Sequence, residues 1–190
     1  MNNYYILNFE ISSNSYTAEE VTLSDMSVYD QYADGISLKE KDIKITYHKN
    51  RGEVQHFIDN LYSLPTLSEQ VTEILLKHCK NEIELYPVHL EKKTNLNFFF
   101  VNLLHLVDVI DFEKSDCVLL TPDVKIIEEV EKLVLFEEKI QGLNIFRLKG
   151  LKLQIVVSEK LKNDLEQLNL SELEFIPIDE FTYDMNSFEW

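Results

Sequence analysis

Three kinds of residue in this 190-residue chain have side chains suited to chemistry: five histidines, two cysteines, and two acids set in an apolar run. The histidines, His48, His56, His78, His89 and His105, are scattered, and no pair has zinc-ligand spacing. His78 and Cys79 are adjacent near the end of an expected helix. Neighbours on a helix point about 100° apart and chelate poorly, so they read as a surface histidine beside a semi-buried cysteine. Cys79 or Cys117 would be a nucleophile only with a histidine brought alongside by the fold, and nothing in the sequence places one there. Asp108 and Asp111 flank Val109-Ile110 in an apolar region, and a buried carboxylate is costly unless it is paired or hydrogen-bonded. They could form an acid/base pair, or a metal site with Glu113 and Asp116. The calcium-loop pattern fails, because Pro122 falls at its twelfth position. The favoured reading makes both structural acids, bonded where a strand leaves the core. There is no glycine-rich phosphate loop and no nucleophile elbow. The expectation is therefore no enzyme, no catalytic residue, no metal and no cofactor.

Charge is more informative. The formal net charge is −16, and it is unevenly placed. Residues 1–35 hold six acids and no Lys or Arg, and residues 159–190 hold nine acids against two lysines, so the ends carry −6 and −7. Nucleic acid and anionic membranes are disfavoured, since both need a basic face. A basic protein partner is favoured by complementary fields. The candidate partner-binding residues are Glu19, Glu20, Asp25, Asp30, Asp34, Glu172, Glu174, Asp179, Glu180 and Asp184. The competing reading is that acidity only keeps the protein soluble. The N-terminus has no basic, apolar leader and no run is long enough to span a bilayer, which places the protein in the cytoplasm with reduced thiols.

The elements that must carry these residues read as α+β, with a mostly antiparallel sheet and two or three helices in a single domain. A strand is expected over Tyr4 to Phe9, loop with one short element over 10–35 ending at an Asp34-Gly35 turn, a half-exposed strand over Asp42 to Tyr47, and a turn at Asn50-Arg51-Gly52. A helix is expected over Glu53 to Leu64, from Val54, Phe57, Ile58 and Leu61. Leu96 to Ser115 suggests one or two buried strands, and Thr121-Pro122-Asp123 a turn. Val124 to Ile140 is ambiguous, although Leu133 to Phe136 looks like strand. Leu143–Leu148 and Leu151–Val157 form a hairpin about Lys149-Gly150.

One stretch is said twice. Ser68 to Val88 aligns without a gap on Ser158 to Ile178, ninety positions later. Ser68/Ser158, Glu69/Glu159, Leu75/Leu165, Glu82/Glu172, Glu84/Glu174 and Pro87/Pro177 match. Each copy reads as serine N-cap, helix, loop, strand and proline stop, with Glu82, Glu84 and Tyr86 on a wet strand face. The flanking segments show no repeat, so the copies read as two similar pieces framing an apolar centre, not as duplicated halves.

Several motifs in order resemble a known family: Leu64-Pro65-x-Leu67-Ser68-Glu69, Ile83-Glu84-Leu85-Tyr86-Pro87-Val88, Phe98-Phe99 through Asn102-Leu103-Leu104 to Asp108 and Asp111, Asn144-Ile145-Phe146-Arg147-Leu148, and Leu173-Glu174-Phe175-Ile176-Pro177. Together they resemble the bacterial immunity proteins found beside polymorphic toxins. The resemblance spans roughly 55–180 and divides the domain into a variable part, 1–52, and a family-like part, 53–180. It departs from the family where Asn169-Leu170-Ser171-Glu172 lacks the usual glycine before the last strand. It implies a non-catalytic cytoplasmic protein that binds and neutralises a cognate toxin. If that toxin is a nuclease, its substrate channel is basic and the acidic ends would mimic phosphate. Exposed strand edges also allow a dimer. The alternative function is a small enzyme or ligand-binding protein with a deep pocket and shifted carboxylates at Asp108/Asp111.

Overall fold

The computed structural model describes residues 3–11, 14–121 and 124–187. The strands are β1 (Tyr4–Phe9), β2 (Thr17–Leu23), β3 (Ile45–Arg51), β4 (Phe57–Asn60), β5 (Thr66–Ser68), β6 (Ile83–Leu90), β7 (Phe98–Leu103), β8 (Leu106–Val107), β9 (Asp116–Thr121), β10 (Val124–Lys132), β11 (Ile145–Leu148), β12 (Leu151–Ser158), β13 (Leu173–Pro177) and β14 (Tyr183–Asp184). The helices are α1 (Ser27–Ala33), α2 (Glu69–Cys79) and α3 (Glu159–Glu166). The architecture is α+β with mostly antiparallel pairing, as the sequence implied.

Six strands close a barrel in the order β2-β3-β6-β7-β5-β4. Tyr16, Ala18, Tyr47, Ile58 and Phe100 fill it, and α1 adds Val28 and Tyr32. A five-stranded sheet, β13-β1-β12-β11-β8, lies alongside a three-stranded one, β14-β10-β9. Tyr4, Ile6, Phe146, Ile127 and Val130 share the core of these two sheets. A third core gathers Val71, Leu75 and Cys79 of α2 with Leu161 and Leu165 of α3, and both helices pack there against strands of the barrel and of the five-stranded sheet.

Local period misled in three places. Residues 53–64 are not a helix. Phe57 to Asn60 is a barrel strand that alternates half-buried and buried side chains, and its pairing with β2 and β5 overrides the helical spacing. Asn60 closes the following turn by bonding both the Leu64 amide and carbonyl, at 3.1 and 2.8 Å. Residues 10–35 are not mainly loop, since they hold β2 and α1. The outward Glu19 and Glu20 hid the alternation of β2, and α1 shows only one apolar pair, Val28 and Tyr32. Leu133 to Phe136 is irregular apart from a bridge at Leu135, whereas the ambiguous Val124 segment is a strand to Lys132. The expected Asn50-Arg51-Gly52 turn begins later, because β3 runs to Arg51 and only Gly52 has the positive φ of a turn, at 83°. The Pro122-Asp123 turn lies outside the described residues.

Pro87 does not stop its strand either. β6 continues to Leu90, and Pro87 falls one residue before the β3 ladder begins at Val88. The supposed wet face of β6 is dry as well, for Glu82 and Glu84 are 9% and 6% exposed. The β11/β12 hairpin lies where the sequence put it.

The ninety-residue echo proves more extensive than its letters. β4 pairs with β5, β5 with β7 and β7 with β6; in the same way β11 pairs with β12, β12 with β1 and β1 with β13, and every pair is antiparallel. Even the outer neighbours agree, because β2 joins β4, and β8 joins β11, in parallel. The register equates β7 with β1: Phe99 opposes Pro87 as Tyr5 opposes Pro177. Read along that register, Asn97-Phe-Phe-Phe-Val-Asn-Leu103 matches Asn3-Tyr-Tyr-Ile-Leu-Asn-Phe9. Polar contacts repeat too. The Glu69 amide donates to the Asn97 carbonyl and that of Glu159 to Asn3, both at 2.9 Å. Asn102 bonds Glu84 at 3.1 Å, and Asn8 bonds Glu174 at 2.9 Å. The flanking segments therefore do repeat. The chain is two tandem units, one opening with β1 and one with β7, and each unit places its first strand in the other's sheet.

Candidate functional site

Three of the echoed acids, Glu82, Glu84 and Glu172, have inward tasks. Glu82 Oε2 accepts the amides of Asn144 and Ile145 at 2.7 and 2.9 Å. Its counterpart Glu172, 7% exposed, accepts the His56 amide at 2.9 Å. Asn144 and His56 are the residues that bond Ser158 and Ser68, each through a backbone bond of 2.9 Å. Each unit's glutamate thus holds the segment that meets the other unit's helix-leading serine. The two serines differ in one respect. Ser158 accepts the Leu161 amide as a helix cap, but the Ser68 hydroxyl is engaged by His56 Nδ1 at 2.8 Å and makes no cap bond. Glu84 accepts bonds from Ser37, the Leu38 amide, Tyr86 and Asn102. Burial pushes its carboxyl pKa up, and these bonds outweigh that and hold it below the ordinary value.

His78 is not a surface histidine. Its side chain is 4% exposed, and Nε2 lies 2.8 Å from Asp164 of α3, which Lys77 also meets at 2.6 Å. These bonds, Lys77 first, depress Asp164 to a pKa of about 2 and tie the two echoed helices together. Cys79 and Cys117 are free thiols belonging to different core clusters. Burial, with a nearby carboxylate, raises both, so neither is a thiolate nucleophile at neutral pH.

Asp108 and Asp111 do not form a joint site. Asp108 is exposed, which removes it from the structural acids. Asp111 is buried, accepts the Glu113 amide at 3.2 Å and meets Lys114 at 2.7 Å, which lowers its pKa. The cavity beside them, lined by Val109, Phe112 and Lys149, has a volume of about 10 Å³. The deep pocket required by an enzyme or ligand site at this place is therefore missing. A cleft of about 430 Å³ lies between Tyr4, Leu133, Ile140 and Ile178, and its polar lining shows no paired acid and base. Among the described residues, no group of three or more His, Cys, Asp or Glu side chains is placed to hold a metal. No described helix is long and apolar enough to cross a membrane.

The ten candidate docking acids fall on several elements. Glu19 and Glu20 are exposed on β2, and Glu19 meets Arg51 at 3.2 Å. Asp25 leads into α1, bonds the Ser27 amide, and is held to a pKa of about 2 chiefly by Lys41 at 2.6 Å. Asp34, at the other end of α1, meets Lys152 at 2.8 Å. Asp30 lies between them on the exposed side of the helix, and its carboxylate has no hydrogen-bond or ion partner among the described residues. Glu174, Asp179, Glu180 and Asp184 are exposed along β13, the following 3-10 turn and β14. Glu172 faces inward. No pattern in the sequence marks the exposed apolar side chains that share the α1 region, Met26, Tyr29 and Leu61. Nor does any show that Arg147 is fully buried, with no carboxylate in ion-pair contact among the described residues. Its guanidinium lies 4.1 Å from the centre of the Tyr32 ring and donates to the Tyr32 carbonyl near the end of α1.

No curated protein matches the chain. A family model described as the immunity protein family Imm11 matches residues 17–180. That span runs from β2 to the turn after β13, and so includes α1 and β3, which precede the motifs that carry the resemblance.

Proposed function

The chain belongs to the Imm11 immunity protein family, and we propose that it neutralises a cognate protein toxin in the cytoplasm by binding it directly, without chemistry of its own. The observation that supports this most is the family match, which covers both structural units. Two features of the molecule agree with it. Its buried acids Glu82, Glu84 and Glu172 are engaged in internal hydrogen bonds, and the cleft of about 430 Å³ holds no paired acid and base. Its surface is strongly acidic, with a net charge of −16.

In this reading the outward acids Glu19, Glu20, Asp30, Glu174, Asp179, Glu180 and Asp184 steer a basic toxin. Where the toxin is a nuclease, they stand in for the phosphates of its substrate and occlude its active site. Glu19, Asp25 and Asp34 contribute less, since each already has an arginine or a lysine. Glu172 contributes by holding the fold.

The test is the affinity for the toxin encoded beside the gene, measured at low and at moderate salt. Neutralising Asp30, Asp179 and Glu180 together should lower the association rate and flatten its salt dependence. An unchanged rate and salt slope would remove electrostatic steering from the account.

A further inference from the structure

The geometry points to one face of α1, with the turn after β4, as the centre of the toxin contact: Met26, Tyr29 and Asp30 of the helix region with Leu61 and Tyr62 of the turn. The inference rests on the function proposed above and names the surface that carries it.

Most of the molecule is repeated. The strands β1 to β2 and β4 to β6, with α2, have counterparts in the second unit, and the matched acids Glu82 and Glu172 hold the frame that both units share. In the second unit the strands β9 and β10, not a helix, occupy the stretch of chain that corresponds to α1. What departs from the shared frame is free to be specific.

α1 is also where two kinds of exposure coincide. Met26 is 59% exposed, Tyr29 38% and Leu61 68%. The Tyr29 and Tyr62 rings meet at 5.7 Å, so helix and turn form one surface. Met26, Tyr29 and Asp30 share a helix face by their spacing of three and four. An acid with no partner among the described residues thus sits amid uncovered aromatic and aliphatic groups. The patch is also pre-organised. Val28 and Tyr32 anchor the opposite face of α1 in the barrel core, and Arg147 clasps Tyr32 from beneath. Rigid aromatic anchors on a fixed element are what interface hot spots are made of.

The occupant that fits is the cognate toxin, through an apolar pocket rimmed by Lys or Arg, with one basic group meeting Asp30. Another exposed apolar set, Val118, Leu120 and Ile126 on β9 and β10, has Lys125 and Lys132 along the same strand and includes no exposed aromatic side chain of its own.

The experiment measures binding of the full chain to the toxin domain encoded beside its gene, produced as an inactive variant, and follows the thermal midpoint of each variant alongside. Tyr29→Ala and Leu61→Asp should each weaken binding at least about tenfold, with midpoints close to the parent's. Leu120→Asp should leave affinity within about twofold. The inference is overturned if Tyr29→Ala and Leu61→Asp bind like the parent, or if Leu120→Asp is the variant that loses affinity. Absence of binding by the parent chain itself would overturn the functional reading, and this inference with it.

Discussion

Glu82 and Glu172 illustrate how a residue can be legible as a repeat while its task stays hidden. The sequence shows both, at the same place in two copies, but it makes them surface acids by strand alternation. In the fold each receives backbone amides from a segment far away in the chain, which no local pattern encodes. Glu82→Ala would leave the half-buried Asn144 amide and the buried Ile145 amide without this acceptor, and should destabilise the protein by about 2–3 kcal/mol in chemical denaturation. Asp164 gives a prediction in pH. Its folded pKa of about 2 lies below the ordinary 3.8, so its contribution is present above 3.8 and is lost as pH falls toward 2. Asp164→Asn should therefore reduce stability at neutral pH and remove this part of the acid-induced loss between about pH 4 and 2. Acid denaturation curves that coincide in shape for parent and variant would show that the link to Lys77 and His78 is not used.

At the scale of elements, the parts legible in the sequence are those whose local and tertiary preferences agree. β1, α2, the β11/β12 hairpin and α3 have apolar residues at the period their packing needs. β4 and β2 do not: a four-residue strand offers too few positions to show alternation, and β2 places a polar face outward on a barrel. Of the candidate site, the acids were visible by type, but not which of them were taken. Lys41 and Lys152 come to Asp25 and Asp34 from 16 and 118 residues away. The apolar component of the α1 surface was invisible, because Met26 and Tyr29 read equally well as core until the barrel is built. The β1/β7 exchange was missed because Asn3 to Phe9 and Asn97 to Leu103 share only their asparagines, the rest being swaps among aromatic and aliphatic residues.

The whole molecule is best understood as two units that exchange their opening strands, the covalent counterpart of a domain-swapped pair. Neither unit has its own central strand. Two fragments cut in the stretch between β6 and β7, 1–93 and 94–190, should therefore purify together as a folded complex when co-expressed. Circular dichroism melting should show the complex to be cooperative, and each fragment alone to be markedly less stable. Fragments that fold independently would contradict the exchange.

Inhibition by binding alone can be followed by titration. Increasing amounts of the protein are added to a fixed amount of its active cognate toxin while the toxin's activity is followed. The account predicts a linear fall to full inhibition at the stoichiometry of the complex, with no dependence on incubation time once binding is complete. Toxin activity that persists at excess protein would contradict it, as would progressive loss at trace amounts of the protein, which would mark an enzyme acting on the toxin.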